Sequence, residues 1–162
     1  MIDFDKIWVE KYRPSTLDDI ILDERTLKQV KEFKEEIPNL LFVGNPGTGK
    51  TTLARIIVND MLGCNYLYIN ASDESGIDTI RHNITNFAQT KSFDGKVKVV
   101  ILDEADGLTT QAQAALRNTM ETYAKYCRFI LTANYKHKII PAVQSRCQSL
   151  DIKPVVELAV KR

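Results

Sequence analysis

Eight consecutive residues, Gly44-Asn45-Pro46-Gly47-Thr48-Gly49-Lys50-Thr51, have the form G-x-x-x-x-G-K-T, and an acidic pair, Asp103-Glu104, follows 53 residues after Lys50. The first pattern suits a polyphosphate. Glycines let successive N–H groups turn toward one anion, and a helix that starts there adds its positive end. In such a loop Asn45, Pro46, Gly47, Thr48, Gly49 and Thr52 line the phosphates, and Lys50 reaches the outer ones. The Thr51 hydroxyl and the Asp103 carboxylate are then the groups that would hold Mg2+, the carboxylate usually through a water. Glu104 is placed to orient or activate an attacking water as a general base. Acid pairs after strands also serve as helix N-caps, so the pair gains its meaning only together with the loop.

Two further polar residues are of a type that could complete this chemistry. Asn134 closes a later apolar run, where an amide can bond the γ-phosphate or the lytic water, or can simply make a turn. Arg146 follows Pro141 in a short polar segment. It reads either as a surface ion-pair residue or as an arginine supplied in trans to a neighbouring subunit's nucleotide.

These groups need elements to carry them. Leu40–Val43 reads as a buried strand entering the loop, and the run from Thr51 to Val58 as the helix leaving it. A charged helix is expected over 24–36, stopped by Pro38, and a second strand over 66–70. The turn from Ala71 to Gly76 has side chains suited to capping a helix that carries Ile77, Ile80, Ile84 and Phe87. A third strand over 97–102 ends at Asp103, and a helix over 110–123 faces Ala112, Ala115, Leu116 and Met120 inward. Strands over 128–134 and 148–152 complete the set. Strands that alternate with helices and are apolar on both faces predict an α/β fold with a parallel sheet covered on both sides. Ligands in such sheets sit at the carboxyl ends of the strands, where the loop, Asp103, Glu104 and Asn134 all fall.

Bulk properties narrow the class. The 162 residues are 44% hydrophobic and 27% charged, suited to one globular domain with a real core. No apolar run approaches a membrane span, and the acidic start Met1-Ile2-Asp3-Phe4-Asp5 is unlike a signal peptide. An intracellular location is therefore expected. Cys64, Cys127 and Cys147 are widely spaced and read as reduced packing residues. A net charge of +1 requires any nucleic-acid contact to come from a local patch. Ahead of the first strand lies an extended arm, Trp8-Val9-Glu10-Lys11-Tyr12-Arg13-Pro14, able to pack on a purine or to cap the core.

Taken in order, that arm, the loop GNPGTGKTT, Ser72-Asp73-Glu74-Ser75-Gly76-Ile77-Asp78, the string DEAD at 103–106, Thr132-Ala133-Asn134 and Ser145-Arg146-Cys147 resemble one family. It is the small subunits of DNA clamp loaders, AAA+ ATPases of the replication factor C type, found in archaea, eukaryotes and, diverged, tailed phages. The resemblance covers about residues 8–152. It implies a P-loop AAA+ domain with a five-stranded parallel sheet over 1–152, and the start of a helical lid over 153–162, with lid and collar lacking. It implies ATP and Mg2+ as cofactors, and hydrolysis that depends on assembly. The partners implied are other loader subunits in a pentamer, a sliding clamp, and primer–template DNA held by its backbone. The compartment would be cytoplasm or nucleus, or a host cell's cytoplasm for a viral source.

The family's roles fall on named positions of this chain. Val9, Tyr12, Arg13 and Pro14 would line the adenine and ribose pocket; Asn134 would be the sensor that reads the γ-phosphate; Arg146 would act on the adjacent subunit's ATP. Asn70 matches the polar position that restrains the catalytic glutamate until DNA binds. The helix after Gly76 would offer its N-terminus, Ile77, Arg81 and Asn83 to DNA phosphates, with Arg117 on the longer helix as a second contact. Arg81 equally fits a solvated helix charge. Phe87 and Phe93 are candidates for the clamp-facing surface or for the core. Two departures stand out: Ile21-Leu22-Asp23 replaces the family's Val-Gly-Gln or Val-Gly-Asn, which alters part of the adenine pocket, and the chain ends at Arg162, before a lid. Two other readings are a module that holds ATP for assembly with little turnover, and another P-loop DNA motor, suggested by the string DEAD.

Overall fold

Leu40–Val43 (β1), Tyr66–Asn70 (β2), Lys98–Asp103 (β3), Cys127–Ala133 (β4) and Gln148–Asp151 (β5) pair in parallel in the order β2-β3-β4-β1-β5. The structure is a computed structural model that describes residues 13–73, 76–90 and 92–153. Among the described residues five α-helices accompany the strands: Glu24–Glu32 (α1), Lys50–Ile56 (α2), Ile77–Gln89 (α3), Thr110–Thr122 (α4) and Pro141–Gln144 (α5).

The period-two alternation of each strand divides the core into two layers. Leu40, Phe42, Val99, Ile101, Ile130 and Leu150 face α1 and α2, where Val30, Phe33, Leu53 and Ile57 meet them. Leu41, Val100, Leu102, Phe129 and Leu131 face α3 and α4, where Ile80, Ile84, Leu116 and Met120 meet them. A strand with both faces covered has no room for a polar face, which is why β3 is buried along its whole length. The register sets Asn70 beside Asp103 and Val43 beside both Ala133 and Asp151. The strand ends that carry polar residues are therefore level.

Several expected boundaries move. The first helix ends at Glu32, well before Pro38; Phe33 and Ile37 turn into the core while Lys34, Glu35 and Glu36 stay exposed, so nothing apolar rewards further helix. The helix leaving the phosphate loop loosens into a π turn at Ile57–Met61 and stops at Gly63, whose φ of +52° is left-handed, as a helix end requires. The N-cap of α3 is Gly76, which makes no side-chain capping bond. Lys98 is buried and donates from Nζ to Phe87 O at 2.7 Å. Cys64 and Cys127 are buried free thiols and Cys147 is half-buried, in line with packing roles. Among the described residues no helix is long and apolar enough to cross a membrane.

Candidate nucleotide-binding site

β1 delivers the chain into a loop whose shape two glycines make feasible. A Cβ on Gly44 would lie 2.4 Å from Ile152 O, because the backbone passes between the ends of β4 and β5. Gly49 has φ +89° and is the N-cap of α2, so the loop turns sharply and aims the first free N–H groups of that helix into its own concavity. Lys50 follows at once, buried, with Nζ donating to Gly44 O at 2.8 Å and Asn45 O at 2.9 Å. An ammonium has three N–H bonds, so one remains for a phosphate oxygen. Burial pushes the Lys50 pKa below its ordinary value, and Asp103, Asp106 and Glu104 act in the opposite direction.

Across from the loop, Asp103 is buried and accepts three hydrogen bonds. Its Oδ1 accepts from Thr51 Oγ1 at 2.7 Å and Thr132 Oγ1 at 2.5 Å, and its Oδ2 accepts from Tyr68 OH at 2.8 Å. Burial, then the bond to Asp103, pushes the Tyr68 phenol up to about 12, so it stays a donor at neutral pH. Thr132 has a second task, accepting from Glu104 N at 3.0 Å. Glu104 has φ 55°, the one positive φ outside glycine among the described residues. That left-handed turn swings the exposed Glu104 side chain out of the strand and toward the pocket, a local cost that neighbouring bonds must offset.

The two sides enclose a cavity of about 250 Å3 lined by Pro46, Gly47 and Gly49 to Thr52 of the loop and helix start, by Asp103 and Glu104, and by Thr132, Ala133 and Asn134; Asn45 and Thr48 are not among its walls. Its walls fit a phosphate chain with a divalent cation: backbone donors and an ammonium on one side, and on the other a hydroxyl already bonded to a carboxylate. Thr51 donates its only proton to Asp103, which leaves the hydroxyl's lone pairs for a cation. Asn134, just past β4, is half-buried on the cavity wall, with its backbone N–H bonded to Asp106 Oδ2 at 3.0 Å.

The remaining sequence-predicted residues fall in several places. Val9 and Tyr12 lie outside the described residues; Arg13 and Pro14 are half-buried. No hydrogen bond joins Asn70 to Glu104. Asn70 Oδ1 accepts from Ser72 N at 3.0 Å and lies 2.7 Å from Ser72 Oγ, and it is Ser72 Oγ that donates to Glu104 Oε2 at 2.6 Å. Arg146 is held in its own chain, with Nε on Glu121 Oε1 at 2.9 Å, Nη2 on the same oxygen, and Nη1 on Ala142 O at 2.6 Å. Ile77 packs against the α3–α4 core layer, Asn83 is half-buried, and Arg81 is exposed with Asp78 at 3.8 Å. Phe87 packs on the core and Phe93 is fully exposed.

Sequence reasoning missed Tyr68, Ser72, Asp106, Gln113, Glu121 and the double role of Thr132. Gln113 is buried and spans the gap to α5: Nε2 donates to Leu108 O and Lys138 O, and Oε1 accepts from Ile140 N. It thereby fixes the segment that carries Arg146. The only sequence signal was a glutamine at an inward helical position, and its partners toward α5 are 25 and 27 residues away.

Residues 40–154 match the profile of the AAA family, ATPases associated with various cellular activities. The chain belongs to that family. It is 49% identical to the replication factor C small subunit of Archaeoglobus fulgidus, over 97% of this chain and 51% of that protein. With the Thermofilum pendens protein of the same name it shares 49% identity, over 93% of this chain and 49% of the relative. The chain thus spans about half the length of these curated relatives. Among solved structures, the Thermotoga maritima RuvB Holliday junction branch migration motor superposes with a TM-score of 0.66 at 20% identity, covering 88% of this chain and 48% of that one. That likeness is one of fold.

Proposed function

We propose that this chain is the nucleotide-binding part of a clamp-loader ATPase subunit, which binds ATP with Mg2+ and hydrolyses it to load a ring clamp on primer–template DNA. The carrying observation is the Thr51–Asp103 pair facing the loop, with Glu104 turned outward beside it, in a chain half identical to replication factor C small subunits. Thr51 and Asp103 would hold Mg2+, whose charge neutralises that of the phosphates. Lys50 would bind the outer phosphates, Asn134, on the cavity wall, would read the γ-phosphate, and Glu104 would be the base for water. Val9, Tyr12, Arg13 and Pro14 would close over the base, and Arg146 would serve a neighbour's ATP. DNA phosphates would meet the start of α3, where Gly76 leaves the first N–H groups without a side-chain cap and Arg81 is exposed.

A second reading, a module that holds ATP but turns it over little, is favoured by the ties of Glu104 to Ser72 and Arg146 to Glu121. Steady-state hydrolysis separates the two. The loader reading expects a low rate for the chain alone and a large rise with partner subunits, primed DNA and clamp. It also expects Arg146→Ala to lower the rate only in the assembly. No stimulation by any combination, with nucleotide bound throughout, would leave the holding module as the function.

A further inference from the structure

We propose that Tyr68 is a positioning residue for the metal-ordering carboxylate of Asp103, deciding which of its acceptor sites faces the cation. The inference rests on the nucleotide-site reading above and goes beyond it, since Tyr68 lies on a strand that contributes nothing to the phosphate loop. A carboxylate offers about four lone-pair sites, two on each oxygen. Thr51 and Thr132 occupy both sites on Oδ1, and Tyr68 OH occupies one on Oδ2. One acceptor site is left, on Oδ2, and it is the only place where a cation-bound water can donate. Tyr68 therefore blocks the alternative site and stops the carboxylate from rotating about its Cβ–Cγ bond.

The phenol is itself held. Its ring packs against the α1–α2 core layer, and the Arg55 guanidinium carbon lies 4.7 Å from the ring centroid, within cation–π range. β2 and β3 run in register, with Tyr68 opposite Ile101 and Asn70 opposite Asp103, so the hydroxyl reaches along the sheet to the carboxylate rather than across a flexible loop. Partners of metal ligands that are fixed in this way commonly change metal affinity on the order of 10- to 100-fold when removed.

Tyr68→Phe removes one oxygen and keeps the ring, its packing and the Arg55 contact. The test uses the full chain with a fluorescent ATP analogue, titrated with and without Mg2+. The expected result is a Mg2+ midpoint raised by about 10-fold, with affinity for the Mg2+-free nucleotide within about twofold of the unaltered chain. A merely structural role would weaken both titrations alike, and an unchanged Mg2+ midpoint would show that the phenol positions nothing; either overturns the proposal. In an Asp103→Asn background Y68F should add no further shift, since both changes act on the same carboxylate; additive effects count against it. Should Y68F fail to fold, 13C-tyrosine spectra of the unaltered, nucleotide-bound chain decide. One tyrosine ring resonance should move when Mg2+ is added, and none moving overturns the proposal. Absence of any nucleotide binding by the unaltered chain is a different failure, and it removes the nucleotide-site reading itself.

Discussion

The two rims of the sheet use opposite ends of the same helices, and so they gather opposite charges. At the carboxyl rim the α2 N-terminus, with its unpaired N–H groups, faces Asp103 and Glu104 across a cavity of about 250 Å3. At the amino rim helices end, and carbonyls at or beyond those ends collect cations: Lys98 on Phe87 O in α3, Lys96 on Gly63 O and Arg128 on Ile37 O in the segments that follow helices. A cavity of about 810 Å3 opens there, lined by Tyr123, Tyr126 and those same basic residues, and it is the larger of the two. Size therefore misleads. The cations of the amino rim are already spent on backbone carbonyls, whereas Lys50 keeps one donor and Asp103 one acceptor unspent. Parallel topology, which sends each helix back toward the amino rim, produces both outcomes.

The largest effect that would break this contrast is Lys50→Ala. It should weaken nucleotide binding on the order of 10- to 100-fold, the cost of a charge-assisted bond of about 1.5–3 kcal/mol. Equilibrium titration checks it, and an affinity within about threefold of the unaltered chain would mean the ammonium faces no phosphate. Lys98→Met, at the other rim, should act on stability instead. Leaving Phe87 O unpaired should cost about 1–3 kcal/mol of stability in urea unfolding with nucleotide affinity intact.

Smaller changes sharpen it. Ser72 Oγ has one proton for two acceptors, Asn70 Oδ1 and Glu104 Oε2, so it can hold or release the base. Ser72→Ala in the assembled ATPase should raise turnover about fivefold, equivalent to ~1 kcal/mol, without altering nucleotide affinity. An unchanged or lower rate would show that Ser72 does not restrain Glu104. The smallest effect is expected at Asp23, a protein anion on the N-terminus of α1, bonded to Thr26 N at 2.9 Å. Asp23→Ala should cost about 1 kcal/mol. The Thr26 backbone N–H holds this carboxyl below its ordinary pKa of 3.8, so its contribution is complete above that value and lost as pH falls further. Unfolding of the pair across the acid range should show their difference closing on acidification; a gap independent of pH would contradict the cap.

The phosphate side of the site was legible because its residues are contiguous: glycines, Lys50 and Thr51 follow one another, and local backbone geometry does the rest. The far side was legible only as far as Asp103 and Glu104, since a carboxylate after an apolar strand is a local pattern. Asn70 shows where that limit falls. It was expected to restrain Glu104, and the bond to Glu104 comes instead from Ser72, two residues on, because the turn after β2 folds the hydroxyl back over the amide. Arg146 reads the same way as a short polar segment whether it is paired or free, and Glu121, 25 residues earlier, is its partner only through the packing of α4 on α5.

By itself the sequence determined the order of strands and helices, the two-layer core and the phosphate loop, because hydrophobic period and glycine placement act within a few residues. Tertiary structure decided the partners of Asp103, the turn at Glu104 and the hold on Arg146. Hydrogen bonds form between atoms about 3 Å apart, and residues 29 to 52 positions apart come that close only once the sheet sets β1, β3 and β4 side by side.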